Sequence, residues 1–133
     1  MFYKPSYNTD GTLASFEPIY DDIPKNITKE IVMDVSNTFY PEKPLVPFIR
    51  ATQDRVVLEI QRGCIRGCRF CQAGMIYRPV RERNVDYLKS MAKKMLKSTG
   101  HEEISLSSLS SSDYSKLDEL LMFLIEEKGN GVN

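Results

Sequence analysis

Tryptophan is absent from this chain of 133 residues, histidine occurs once, and cysteine occurs only three times. The single histidine, His101, lies far from the cysteines, which disfavours a zinc site with four cysteine and histidine ligands. The odd count of three cysteines, and their crowding between Cys64 and Cys71, disfavour a disulfide framework even more strongly. These absences favour another kind of metal site, with zinc kept as the weaker alternative.

The chain also lacks an apolar run long enough to span a membrane, and its N-terminal stretch MFYKPSYNTDG is polar. We therefore expect a cytoplasmic protein without membrane contact, in which thiols stay reduced. The formal net charge is zero, but residues 62–97 contain ten basic residues and only two acidic ones. This local excess of positive charge could serve to bind an anionic group or a nucleic acid. Part of it is explained by basic residues on the solvated faces of helices.

The three cysteines form the pattern CxxxCxxC in the stretch CIRGCRFC. An apolar run, Val56 to Ile60, precedes them and a helical pattern follows, so the thiols should lie on a loop between a strand and a helix. Thiolates are the standard ligands of iron–sulfur clusters, and three of them leave one iron of a cubane open. An open position distinguishes a reactive metal site from a structural one. The pattern predicts a metal site on Cys64, Cys68 and Cys71.

Residues 1–45 show no clear hydrophobic period and are predicted to be a connector or N-terminal extension. The turn signal Asn8-Thr9-Asp10-Gly11 predicts a loose hairpin between Phe2-Tyr3 and Leu13–Tyr20. Thr28–Val35 fits either a short helix or a strand. The proline-rich run PEKPLVP predicts an extended linker.

Two strands are predicted beyond residue 46. In Arg55–Ile60, the side chains of Val56, Leu58 and Ile60 should point to one side of a strand, which is expected to pair in a hairpin with Phe48–Ala51. Glu103–Leu109 is the second strand. Glu59, near the end of the first strand, is interpreted either as a group close to the metal or as a rim carboxylate paired with an arginine.

Two helices are predicted around the second strand. Asn84 should cap a helix from Val85 to Ser98, which ends at Gly100. Ser115 should cap the other helix, which follows a serine-rich loop. The helices carry apolar stripes at helical spacing: Leu88, Met91, Ala92, Met95 and Leu96 in the first, and Leu117, Leu120, Leu121 and Leu124 in the second, widened by Phe123 and Ile125.

The order strand, cysteine loop, helix, strand, serine loop, helix corresponds to two βα units. Such units imply a parallel strand pair, with the functional loops at the carboxyl ends of the strands. The cysteine loop and the serine loop, Ser110 to Ser112, should therefore open on the same edge of the sheet.

Residues 39–83, which include the run RGCIRGCRFCQAGMIYRPVRER, resemble a family of uncharacterised radical S-adenosylmethionine (SAM) proteins. Members of that family usually carry an upstream cobalamin-binding-type domain and are similar to methylthiotransferases. The resemblance implies a 4Fe–4S cluster on Cys64, Cys68 and Cys71, SAM on the open iron, and reductive cleavage of SAM to a 5′-deoxyadenosyl radical.

The resemblance also implies roles for three further residues. Phe70 stands before the third cysteine, where the superfamily has an aromatic residue close to the adenine. Ser107 and Ser108 occupy the place of a Gly-Gly-Glu-like segment that binds the SAM amino group. An external electron donor such as flavodoxin or ferredoxin is implied, and kinship with methylthiotransferases suggests RNA or protein as the substrate.

The expected fold is α/β, a partial (β/α) barrel fragment with about two βα units after an irregular N-terminal segment. Residues 1–45 would be the connector, and residues 46–133 the N-terminal part of a radical SAM domain. Cobalamin is expected only in a full-length protein. The alternative functions are an iron–sulfur or zinc binding module without catalysis, or an inactive truncated fragment.

Overall fold

The structure of the chain, a computed structural model, describes residues 2–129. The chain forms two compact units, Met1–Ile31 and Val32–Asn133. Residues 32–45 belong by their contacts to the second unit, while the division at residue 45 stays a prediction about domain organisation. No helix in the described part of the chain is both long and apolar enough to cross a membrane.

The described residues contain short strands and three α-helices. The strands are Tyr3–Tyr7 (β1), Leu13–Pro18 (β2), Val56–Glu59 (β3), Gln61–Arg62 (β4), Arg81–Glu82 (β5) and Ile104–Ser107 (β6). The helices are Ala73–Ile76 (α1), Val85–Thr99 (α2) and Leu117–Gly129 (α3), and a 3₁₀ turn spans Ser111–Asp113.

The first unit is an antiparallel hairpin. Strands β1 and β2 pair from Tyr3 opposite Pro18 towards the turn, where the Asn8 N–H donates to the Thr12 carbonyl at 2.8 Å. Gly11 has a φ of 83°, a left-handed conformation that glycine adopts without strain. The Tyr3 and Phe16 rings stack with their centroids 4.9 Å apart. The predicted N-terminal hairpin is therefore confirmed.

The second unit is built on a parallel strand pair. Strand β3 pairs with β6, from Val56 opposite Ile104 to Glu59 opposite Ser107. Helix α2 connects these strands and α3 follows the second, so the predicted mixed α/β fold with two βα units is confirmed. The strands among residues 2–129 do not close into a barrel.

The core of this unit lies between the β3–β6 pair and the two long helices. Leu58 is fully buried, and burial of one leucine side chain stabilises a fold by about 1.5–3 kcal/mol. The other buried apolar residues come from β3 and the residue after it, from both helices and from the turn before α3: Val56, Ile60, Leu88, Met91, Ala92, Met95, Tyr114 and Leu120. The stripe predicted for α2 is thus the face that covers the sheet.

Both ends of α2 form as predicted. The Asn84 side-chain oxygen accepts hydrogen bonds from the N–H groups of Asp86, at 2.8 Å, and Tyr87, at 3.3 Å. Gly100 ends the helix with a φ of 73°, and its N–H donates to the Leu96 carbonyl at 2.9 Å. Capping groups in the sequence therefore locate this helix correctly.

Two predicted elements are wrong. Phe48–Ala51 forms no strand, because β3 finds its partner in β6 and not in a hairpin. Thr28–Val35 forms neither a helix nor a strand. At its end the Asp34 carboxylate accepts a hydrogen bond from the Ser36 N–H at 2.9 Å, a local turn that competes with regular structure.

The face of α3 that contacts the core is also narrower than predicted. Leu120 is fully buried, but Leu121 is 39% exposed and Ile125 is 65% exposed. The helix is rich in apolar residues on several sides, so spacing alone does not identify its packed face.

Ser115, the predicted cap of α3, has a different partner from the one expected: its hydroxyl and N–H both donate to the Glu82 carboxylate.

Candidate metal centre

The carboxyl ends of β3 and β6 lie side by side. Glu59 is opposite Ser107, and the next N–H, of Ile60, donates to the Ser107 carbonyl at 3.0 Å. The chain enters the cysteine loop shortly after β3 and the serine loop directly after β6. The expectation that both loops open on one edge is confirmed.

A narrow neck closes the cysteine loop. Strands β4 and β5 pair antiparallel, Gln61 opposite Glu82, and bring the two ends of the loop together. Gly63 lies in this neck with a φ of 85°, and a Cβ there would be 2.7 Å from the carbonyl oxygens of both Tyr77 and Pro79. The Arg81 guanidinium donates to the same two carbonyls, at 3.3 and 3.1 Å. Only glycine fits the position that starts the loop.

The three cysteines are free thiols on this loop, Cys64 and Cys71 half-buried and Cys68 exposed. The Arg66 N–H lies 3.4 Å from the Cys64 sulfur, and the Gly74 N–H lies 3.4 Å from the Cys71 sulfur, each in donor geometry. Backbone donors of this kind stabilise negative charge on sulfur and tune iron–sulfur centres.

The donor chemistry of the loop fits an iron–sulfur cluster, because it supplies three thiols, two of which receive N–H donors. Among residues 2–129, no three cysteine, histidine, aspartate or glutamate side chains surround the position of a single metal ion. The cysteines of a cubane site bind different irons, so a cluster on Cys64, Cys68 and Cys71 does not require the three thiols to surround one position.

An ion pair joins the cysteine loop to the serine loop. Arg66 Nε donates to Asp113 Oδ2 at 2.8 Å, and Arg66 Nη2 donates to the other carboxylate oxygen. The Ser110 hydroxyl donates to Asp113 Oδ2 at 2.7 Å. Arg66 and then Ser110 lower the pKa of Asp113, and Asp113 raises the pKa of Arg66. The pair therefore stays charged around neutral pH.

A second contact joins the two loops nearer to the sheet. Gln61 is 2% exposed, and its Nε2 donates to the Ser110 carbonyl at 2.6 Å. Its side-chain oxygen is buried and has no hydrogen-bond partner in the part of the chain that the structure describes. Neither Gln61 nor Asp113 was predicted as a site residue, because nothing in their local sequence shows that they meet the other loop.

Glu59 pairs with arginines and does not project alone towards the cysteines. Its carboxylate accepts from Arg62 Nε at 2.8 Å and from Arg83 Nη2 at 2.7 Å. Burial raises the pKa of Glu59, but these hydrogen bonds outweigh it and hold the pKa below its ordinary value. Arg83 is buried, with its guanidinium 4.8 Å from the centre of the Tyr40 ring. The pairing with arginine that one of the two interpretations predicted is therefore confirmed.

The other predicted site residues lie on the same two loops. Phe70, between the second and third cysteines, is 92% exposed. Ser107 is exposed at the end of β6, and the Ser108 and Ser111 hydroxyl oxygens are 2.8 Å apart in a hydrogen bond. Their roles in binding stay predictions.

Comparison with known proteins identifies the family. The chain is 33% identical over 112 residues to an uncharacterised protein of Methanocaldococcus jannaschii, an alignment that covers 77% of this chain and 25% of the relative. The chain thus spans about a quarter of the length of the curated relative that it matches. No solved structure matches it. The model of the radical SAM superfamily matches residues 58–133, which include all three cysteines and both loops, and the chain belongs to that superfamily.

Proposed function

We propose that the second unit binds a 4Fe–4S cluster through Cys64, Cys68 and Cys71 and takes SAM at the iron that no cysteine holds. The observation that carries the proposal is the position of three free thiols, in the spacing CxxxCxxC, on a loop at the edge where both parallel strands end. When bound, the cluster supplies the electron for reductive cleavage of SAM to a 5′-deoxyadenosyl radical.

The chain's own residues would hold and orient SAM. Phe70 offers an exposed aromatic face to the adenine, and such faces bind bases by stacking. Ser107 and Ser108, at the end of β6, supply hydroxyl and backbone groups for the amino group of SAM. The excess of basic residues between positions 62 and 97 would offset the negative charge of the cluster and of the SAM carboxylate.

The proposed reaction also needs an electron donor and a substrate. An external donor such as flavodoxin or ferredoxin would reduce the cluster, and RNA or a protein is the proposed substrate. Cobalamin would be used only by a longer protein with an upstream domain of the cobalamin-binding type.

The second candidate is an iron–sulfur or zinc binding module without SAM cleavage. The exposure of Cys68 and Phe70 favours it, because radical chemistry requires that water be excluded from the reacting groups. The two candidates differ in whether SAM reaches the metal.

Electron paramagnetic resonance tests the proposal. After anaerobic reconstitution with iron and sulfide and reduction, SAM should change the spectrum of the cluster. A bound cluster whose spectrum is unchanged at saturating SAM would support the non-catalytic module. Stoichiometric zinc without retained iron would contradict the proposed function and would support the zinc form of the second candidate.

Substitution of Phe70 separates SAM binding from metal binding. Phe70→Ala should weaken the SAM response by about tenfold while iron content is unchanged, because base stacking on an aromatic side chain contributes about 1–3 kcal/mol. Ile65→Ala is the matched control, since Ile65 is an apolar residue of the same loop and is 65% exposed. Equal SAM responses of the two variants would remove Phe70 from the adenine site.

A further inference from the structure

We propose that Asp113 is a positioning residue for the cysteine loop, acting through Arg66, and that it couples metal binding on that loop to the serine loop. The inference rests on the proposed function, since it concerns how the chain prepares the cysteines for a cluster. It assigns a role to a residue that lies outside the CxxxCxxC pattern and 47 positions from its partner.

Arg66 connects Asp113 to the cysteines directly. It stands between Cys64 and Cys68, and its backbone N–H donates to the Cys64 sulfur at 3.4 Å. Its side chain forms a two-point ion pair with Asp113, a geometry that fixes the orientation of the guanidinium as well as its distance. One residue therefore links a predicted metal ligand to the serine loop.

Asp113 is itself held in place. Its side chain is 13% exposed, it lies in the Ser111–Asp113 turn, and the Ser110 hydroxyl donates to it at 2.7 Å. The carbonyl of Ser110 also accepts the hydrogen bond from the buried Gln61. The serine loop is thus attached at two points, at the base of the cysteine loop through Gln61 and within it through Arg66.

Electrostatics and positioning predict opposite effects when Asp113 loses its charge. An iron–sulfur cluster on thiolates is anionic, so removal of a nearby carboxylate should favour its binding if charge alone matters. If Asp113 acts by holding Arg66 and the loop, the same change should weaken binding, because a freer loop loses more conformational entropy when a cluster fixes the thiols.

The experiment compares Asp113→Asn, Arg66→Gln and the double variant with the wild-type chain after anaerobic reconstitution. The readouts are iron per chain and the rate at which a chelator removes the visible absorbance of the cluster. We expect about tenfold faster loss in Asp113→Asn, the lower end of the effect of residues that orient metal ligands. The double variant should lose its cluster no faster than Arg66→Gln, because the two substitutions remove the same interaction, the pair of Arg66 with Asp113.

Glu119→Gln is the matched control, since it breaks a different ion pair, Lys89 to Glu119 at 2.7 Å, between the two long helices. It should leave iron content and chelator rate unchanged. Circular dichroism of the metal-free proteins checks that each variant folds. If Asp113→Asn does not fold, Arg66→Lys tests the same link, because lysine keeps the charge but cannot form the two-point pair.

The outcomes separate the two proposals. A wild-type chain that binds no iron would overturn the proposed function, and this inference with it. A wild-type chain that binds a cluster while Asp113→Asn holds it equally well or more tightly would overturn the inference alone. Strictly additive effects of the two substitutions would also overturn it, because Asp113 would then act without Arg66.

Discussion

Alanine at any one of Cys64, Cys68 or Cys71 is expected to abolish the broad brown absorbance that reconstitution should give the wild-type protein. Three thiolates hold a cubane with one open iron, and two leave a second iron without a protein ligand. The chain contains no fourth cysteine that could replace the lost one. Iron content per chain and the visible spectrum, both measured anaerobically, check this expectation.

Gln72→Ala is the matched control for the cysteine variants. Gln72 is exposed beside Cys71, and its side chain makes no capping hydrogen bond to α1. The variant should therefore retain the iron content of the wild type. If one cysteine variant also retains it, that cysteine is not a ligand. Retention of zinc in place of iron would favour the weaker alternative of a zinc site.

Gly63→Ala is expected to destabilise the second unit by about 2–5 kcal/mol, from two sources. A side chain in the left-handed region costs about 1–2 kcal/mol, and an extra methyl group in a packed site costs about 1–3 kcal/mol. The clash is severe because both obstructing atoms, 2.7 Å from the new Cβ, are backbone oxygens and cannot move aside like a flexible side chain. Denaturant unfolding measures the loss.

Gly100→Ala isolates the first of these sources. Gly100 has a φ of 73°, close to that of Gly63, but among residues 2–129 no atom outside its adjacent backbone lies within 4 Å of a Cβ built there. This variant should lose only the conformational cost of about 1–2 kcal/mol. The difference between the two variants measures the close contact in the neck, and equal losses would show that the neck is wider than described.

Much of this fold could be predicted because it depends on interactions between residues that are close in the sequence. Asn84 and Gly100 mark the ends of α2 because a capping side chain and a left-handed glycine act within a few residues of the backbone groups they satisfy. The spacing of Val56, Leu58 and Ile60 predicted that they share one side of the strand, and the structure shows that this side is buried. The order of βα units then placed both loops at one edge of the sheet.

The features that could not be predicted depend on contacts between distant residues. Nothing near Arg66 indicates that its partner is Asp113, and nothing near Gln61 indicates that it is buried against Ser110. The predicted hairpin of Phe48–Ala51 was wrong because β3 pairs with β6, a strand that lies much later in the sequence. The segment next to β3 in the sequence is then left without a strand partner. The packed face of α3 was ambiguous because apolar residues surround the helix.

The long sequence separation between the joined loops has a consequence for the order of events during synthesis. The chain leaves the ribosome from its N-terminus, so the cysteine loop emerges before α2, β6 and Asp113 exist as folded parts. Contacts across 47 and 49 positions form only after the intervening residues have been made and the strands have paired. In the nascent chain the cysteine loop therefore has no contact with the serine loop. A bound group that needs both loops would be acquired only after the second βα unit has folded.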